Sequence, residues 1–164
     1  MSGEASSSNE KDLKFLRIAL EVAARSRKNG NHPFGAIIVD ENDNILCEGE
    51  NTVVTGKDCT GHAETNVMRK ATNQYTPEEL EKSTLYTSTE PCAMCAGAIH
   101  WGRMGRMVYA LSESGLYDGI GAQDPIHILR LPCRDVFACS DRKFEVAGPF
   151  IQDEGWTVHE GFWN

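Results

Sequence analysis

The sequence predicts an α/β fold, a sheet covered by helices on both faces, and three observations point to it. Apolar residues recur at three- and four-residue steps near the start of the chain. A pair of short apolar runs joined by a polar turn follows, and further short runs appear singly after it. Segments of helical length separate those single runs, which is the alternation that builds layered α/β domains.

Taken in order, Leu13, Leu16, Leu20 and Ala24 mark one face of an amphipathic helix over Lys11–Lys28, with Lys14, Arg17, Glu21 and Arg25 on the other. Asn29-Gly30-Asn31 stops it, Gly30 suiting a left-handed cap. Gly35–Asp40 reads as a buried strand, Glu41–Asn44 as a hairpin turn and Ile45–Asn51 as the returning strand. Thr52–Gly61 is a polar loop that delivers His62 to a helix reaching about Thr72. Thr76-Pro77 opens a short helix, threonine as cap and proline in the first position. Thr84–Ser88 is the third strand, Cys92–Trp101 a helix, and Met107–Leu111 the fourth strand. Ser112–Arg130 is Gly-rich and reads as irregular. Phe144–Ala147 is a fifth strand ended by Gly148-Pro149, and Phe150–Phe162 a final helix softened by Gly155 and Gly161.

The bounds are those of one globular domain over residues 11–164, preceded by a disordered tail over residues 1–10. That opening stretch is Ser-rich and lacks the apolar core of a signal peptide. No apolar run approaches the ~20 residues of a membrane span. A net charge of −8 argues against a protein that grips nucleic acid through phosphates, and Arg103 and Arg106 form only a thin basic patch. Six cysteines invite a disulfide reading, but a cytoplasmic location, which is the one expected here, would keep them reduced. Cys47 then reads as a small core residue, Cys59 as a loop thiol, and Cys133 and Cys139 as structural.

Two short stretches carry chemistry: His62-Ala63-Glu64 and Pro91-Cys92-Ala93-Met94-Cys95. Cysteines three apart share one face of a helical turn. A thiolate near a helix start is favoured by unpaired N–H groups and the dipole. His62 completes a nitrogen-plus-two-sulfur donor set that Zn2+ accepts, and three protein ligands leave a position for water, the mark of a catalytic site. Glu64, beside the metal without binding it, is placed to take and return protons. A purely structural zinc module would not need that carboxylate and usually has a fourth protein ligand.

The combined motif resembles that of the cytidine deaminase-like superfamily, nearest to the small guanine deaminase and tRNA adenosine deaminase branch, over about Phe15 to Ala110. That resemblance implies a five-stranded mixed sheet in a three-layer α/β/α sandwich, with both metal-bearing helices on one side. It implies hydrolytic deamination of a small aminated heterocycle, water adding to the amine-bearing ring carbon and ammonia leaving. A guanine-type amidine is favoured, with isocytosine, cytosine, a triazine or a pterin open and tRNA wobble adenosine as the alternative. By the same resemblance Asn51 hydrogen-bonds the ring, Phe34 stacks on it, and Ala63 and Trp101 join the substrate contacts. Trp101 tilts the reading toward a free base. An aspartate after the fourth strand, Asp124 by spacing with Asp118 as the rival, would read the amidine edge, although the local G-F-D-D pattern is absent. Phe162 and Trp163 place aromatics at the chain end, where related enzymes close their pockets. The expected partners are a small heterocyclic base and a second copy of the chain, with no nucleic acid and no membrane.

Overall fold

The first helix, α1 (Gly3–Lys28), lays Phe15, Leu16, Ala19, Leu20, Val22 and Ala23 against the sheet, all of them buried. A computed structural model of the chain describes residues 3–121 and 128–163, with side chains from residue 9 onward. The helix starts at Gly3, not Lys11, so residues 3–10, expected as part of a tail, continue it. Elongating an established helix costs little, because each added residue gains a backbone hydrogen bond once the nucleus exists.

Strands β1 (Gly35–Val39) and β2 (Ile45–Glu50) form the expected hairpin, with Ile37 opposite Glu48. Beyond it come α2 (Val53–Gly56), α3 (Ala63–Gln74) and α4 (Pro77–Glu81). The last carries the capping box that Thr76 announces, since Thr76 Oγ1 accepts from the Glu79 N–H and the Glu79 carboxylate accepts from the Thr76 N–H. Strand β3 (Thr84–Thr89) leads into α5 (Ala93–Trp101), and β4 (Arg106–Leu111) into α6 (Glu113–Ile120). The chain then forms α7 (Cys133–Ala138), β5 (Glu145–Ala147) and α8 (Gln152–Thr157).

The sheet is mixed and five-stranded, in the order β2-β1-β3-β4-β5. β1 runs antiparallel to β2 and β3, whereas β3, β4 and β5 are mutually parallel. Side chains alternate across it. Ile37, Tyr86 and Val108 stand in one register and pack under α1. Ile38, Leu85 and Met107 form the next row and face the opposite way, against Val67, Met68, Ala96 and Ile99 of α3 and α5. That three-layer arrangement is the architecture expected. A smaller apolar cluster of Leu111, Leu116 and Ile120, with Phe34, Trp156 and Trp163 against it, forms beyond the carboxyl end of β4.

Three further segments differ from the sequence reading. The loop 52–61 contains the single turn α2. The stretch read as irregular contains α6, whose Ser112 cap accepts from the Gly115 N–H and whose Leu116 and Ile120 are buried one turn apart. Its glycines lower helix propensity, and burial with capping overrides them. The final helix shortens to α8, which starts only after Ile151 in a left-handed conformation and gives way to turns that contain Gly161 at a φ of 65°. Among the described residues no helix is long and apolar enough to cross a membrane.

Candidate metal centre and active-site cavity

His62 is the N-cap of α3 and Cys92 the N-cap of α5, so the two helix starts converge from neighbouring segments of the sheet. Gly49 makes the first possible: a Cβ there would lie 2.4 Å from the Ala63 carbonyl oxygen, so only glycine lets β2 touch the start of α3. The ligand atoms of His62, Cys92 and Cys95 all lie within 4.8 Å of one another. His62 Nδ1 is 3.5 Å from Cys92 Sγ, which identifies the ring nitrogen facing the sulfurs. Thr65, one turn along α3, puts its hydroxyl 3.3 Å from Cys95 Sγ.

The electrostatics suit a thiolate-forming donor set. Hydrogen bonding from Cys95, and more weakly from His62, holds the Cys92 thiol well below its ordinary range despite burial. The same contact with Cys92 raises the His62 imidazole. One nitrogen and two sulfurs at these separations fit zinc, a borderline-soft cation that takes Cys₂His sites with a further position for water. Among the described residues no other histidine, cysteine or carboxylate joins the three. Cys59 is exposed and Cys133 and Cys139 stand elsewhere, so no second cluster forms from them among the described residues.

Glu64 sits in the first turn of α3 and is buried. Its Oε1 lies 3.0 Å from Thr87 Oγ1, and the same hydroxyl lies 3.0 Å from the Thr89 carbonyl, so its one proton serves one acceptor at a time. Burial pushes the Glu64 carboxyl up, the nearby Cys92 adds to this, and His62 opposes it. A divalent cation at the three ligands acts in the lowering direction.

His62, Glu64 and Cys92 form one wall of a cavity of about 230 Å³. Phe34 and Trp163 form a second wall, and Glu113, Leu116, Tyr117 and Ile120 of α6 and its end form a third. Trp163 is held by its indole N–H, which donates to His159 Nδ1 at 3.2 Å. Arg27 Nη1 anchors the same segment by donating to the Val158 and Glu160 carbonyls.

The expected substrate contacts are thus divided. Phe34 lines the cavity. Asn51 follows β2, is 1% exposed, and accepts the Val53 N–H through Oδ1. That bond leaves its Nδ2 buried without a partner among the described residues, a free donor, although Asn51 is not itself part of the lining. Ala63 is buried at the first position of α3, next to the ligand. Trp101 stands apart: it is 82% exposed at the end of α5 and does not line the cavity, so its tilt toward one substrate has no support in this chain. Asp124 lies outside the described residues, and Asp118 is exposed on α6 and is not in the lining.

Residues that sequence reasoning missed are His32, Thr89, Glu90, Glu113 and Tyr117. A signal for Glu113 existed: it leaves the carboxyl end of a parallel strand directly after a helix-capping serine, where α/β sheets bind ligands.

The sequence pattern of the cytidine and deoxycytidylate deaminase zinc-binding region matches residues 9–111. This chain belongs to that family. The deaminase chain is 46% identical over 156 residues to a protein of Schizosaccharomyces pombe named as a probable cytosine deaminase, covering 95% of this chain and 94% of that one. It is 41% identical over 105 residues to the tRNA-specific adenosine deaminase of Haemophilus influenzae, covering 64% of this chain and 61% of the relative. Its fold matches the guanine deaminase of Nitrosomonas europaea with a TM-score of 0.71 at 22% identity, over 88% of this chain and 80% of that one. The deaminase domain is zinc-binding and hydrolyses carbon–nitrogen bonds, and His62, Cys92 and Cys95 are the group among the described residues that could hold the metal.

Proposed function

We propose that this chain is a hydrolytic deaminase of a free nucleobase, with cytosine the first candidate and guanine the second. The observation that carries the reading is Glu64, a buried carboxylate that shares one small cavity with the metal ligands His62 and Cys92. Zinc, when bound, supplies a water molecule acidic enough to add to a ring carbon near neutral pH. Glu64 takes a proton from that water and delivers it to a ring nitrogen, then takes the proton of the newly formed hydroxyl and passes it to the departing amine. Water adds across the ring C–N bond, the exocyclic amine leaves as ammonia, and a carbonyl remains. Thr87 orients Glu64 by its hydrogen bond to Oε1. Asn51 Nδ2 donates to a ring acceptor, Ala63 contributes its backbone at the start of α3, and the aromatic wall of Phe34 and Trp163 packs against the ring.

Size and charge favour a base over a polynucleotide. About 230 Å³ lies below the ~300–1,000 Å³ of pockets for drug-sized ligands. The net charge of −8 offers no field for phosphates. Cytosine leads because the Schizosaccharomyces pombe relative matches over 156 residues, enough to include the cavity wall from Phe34 to Trp163. A match of 105 residues cannot reach from one to the other. The reading includes a homodimer: α5 is apolar on every side, and it leaves Met94 and Trp101 exposed.

Ammonia release from cytosine, guanine, adenosine and a tRNA anticodon stem-loop tests the proposal. Turnover of a free base is expected. Turnover of the stem-loop alone overturns it.

A further inference from the structure

The third wall of the cavity holds a carboxylate that the chemistry above does not use. Glu113 is the first residue of α6 and is 8% exposed. Its backbone is fixed, since Ser112 caps the helix and the Glu113 N–H donates to Glu90 Oε2 at 2.9 Å. Glu90 is fully engaged, its other oxygen accepting the Cys133 N–H at 3.0 Å. Glu113 is not. Its Oε1 accepts one long bond, from the Leu131 N–H at 3.3 Å, and its Oε2 has no hydrogen-bond partner among the described residues. No lysine or arginine makes a salt bridge with it among the described residues.

Glu113 thus lines the cavity with an acceptor that no described group uses, and an N–H from a cavity occupant gains a charge-assisted partner there. Burial pushes its carboxyl up and the Glu90 charge adds to this, while the Leu131 N–H and the more distant Arg130 charge oppose it. Phe34, Leu116, Ile120 and Trp163 flank it in the lining, so a flat ring held against them can present an N–H to this carboxylate. The opposite wall offers Glu64 and the metal ligands, which engage the reacting carbon and its neighbours. A free base presents one more N–H, on the ring nitrogen where a nucleoside carries its sugar.

We propose that Glu113 is the specificity-determining carboxylate of this site, accepting that ring N–H and so selecting the free base over its N-substituted forms. The assignment rests on the deaminase reading above. Each N–H that meets the carboxylate is exchanged for nothing in a nucleoside, whose substituted nitrogen leaves Oε2 unpaired and brings bulk into about 230 Å³.

The test compares wild type with Glu113→Gln, whose amide oxygen still accepts the Leu131 N–H while its NH₂ replaces the acceptor facing the cavity. Thermal melting and bound zinc, both expected unchanged, show that the variant folds. The probes are cytosine and 1-methylcytosine, or guanine and 9-methylguanine if wild type turns over guanine, with the methylated base also read as a competitive inhibitor. In wild type the methylated base should bind about 10–100-fold more weakly than the free base. In Glu113→Gln, kcat/KM for the free base should fall by about 10–100-fold while the methylated base changes by less than about 3-fold, so the discrimination collapses. Equal effects on both probes, or none, overturn the role of Glu113 and leave the deaminase reading standing. Wild type that turns over neither base overturns the deaminase reading, and this assignment with it.

Discussion

His159 makes stability depend on pH in a direction the structure sets. It is 1% exposed, stacks between Trp156 and Trp163, and packs against Phe34. Its Nδ1 accepts the Trp163 indole N–H, which requires a neutral ring at that nitrogen, while Nε2 is buried without a partner among the described residues. Burial, with a smaller contribution from the Arg27 charge, pushes the imidazole down from 6.5 to about 4. Between those values the unfolded chain binds a proton that the folded chain does not. Stability from this group is therefore complete above about pH 6.5, and falls as the pH drops toward 4. Each tenfold change in proton affinity is worth about 1.4 kcal/mol, so the full loss is about 3 kcal/mol. His159→Asn keeps an acceptor for Trp163 and removes the titration. Urea unfolding of both proteins at steps from pH 7.5 to 4 should show wild type losing about 3 kcal/mol more than the variant. Loss of zinc in acid affects both alike, so the difference reports His159. Parallel stability curves for the two proteins would refute the reasoning.

Four further outcomes are expected. Glu64→Gln should lower turnover by about 10²–10⁴-fold with zinc retained, and full turnover in that variant removes Glu64 from the chemistry. Thr65→Val deletes the hydroxyl beside Cys95 Sγ, and chelator competition should show zinc held about 10–100-fold more weakly. Leu85→Ala empties a fully buried position between the sheet and the α3–α5 layer, and should cost about 2–5 kcal/mol in urea unfolding. Trp101→Ser should shift the chain from dimer to monomer in light scattering without lowering its melting temperature. A monomeric wild type removes the dimer from the reading.

The metal ligands were legible because their geometry is local. Cysteines three apart at a helix mouth, and a histidine two residues before a glutamate, present the same faces in any fold that makes those turns. The strands were legible for the same reason, since β1 is an apolar run and β3 sets Leu85 and Tyr86 among β-branched threonines, both bounded by turns. Helix α6 was hidden by glycines whose cost only its packing on Leu111 and its cap repay. Trp101 shows the converse: a tryptophan three residues beyond Ala98 of a helix that touches the metal turns outward, because the inward stripe of α5 is Cys95, Ala96 and Ile99.

By itself the sequence determined the layered sheet, and it brought out the candidate donor set with the carboxylate beside it. All of these follow from spacings within a turn or from periodicity along one element. Only the tertiary structure decided the cavity, for Phe34, Glu113 and Trp163 lie far apart in the chain and meet only once β1, β4 and the C-terminal segment are packed. Burial brings such residues together, and burial is a property of the whole assembly, which no short pattern in the chain encodes.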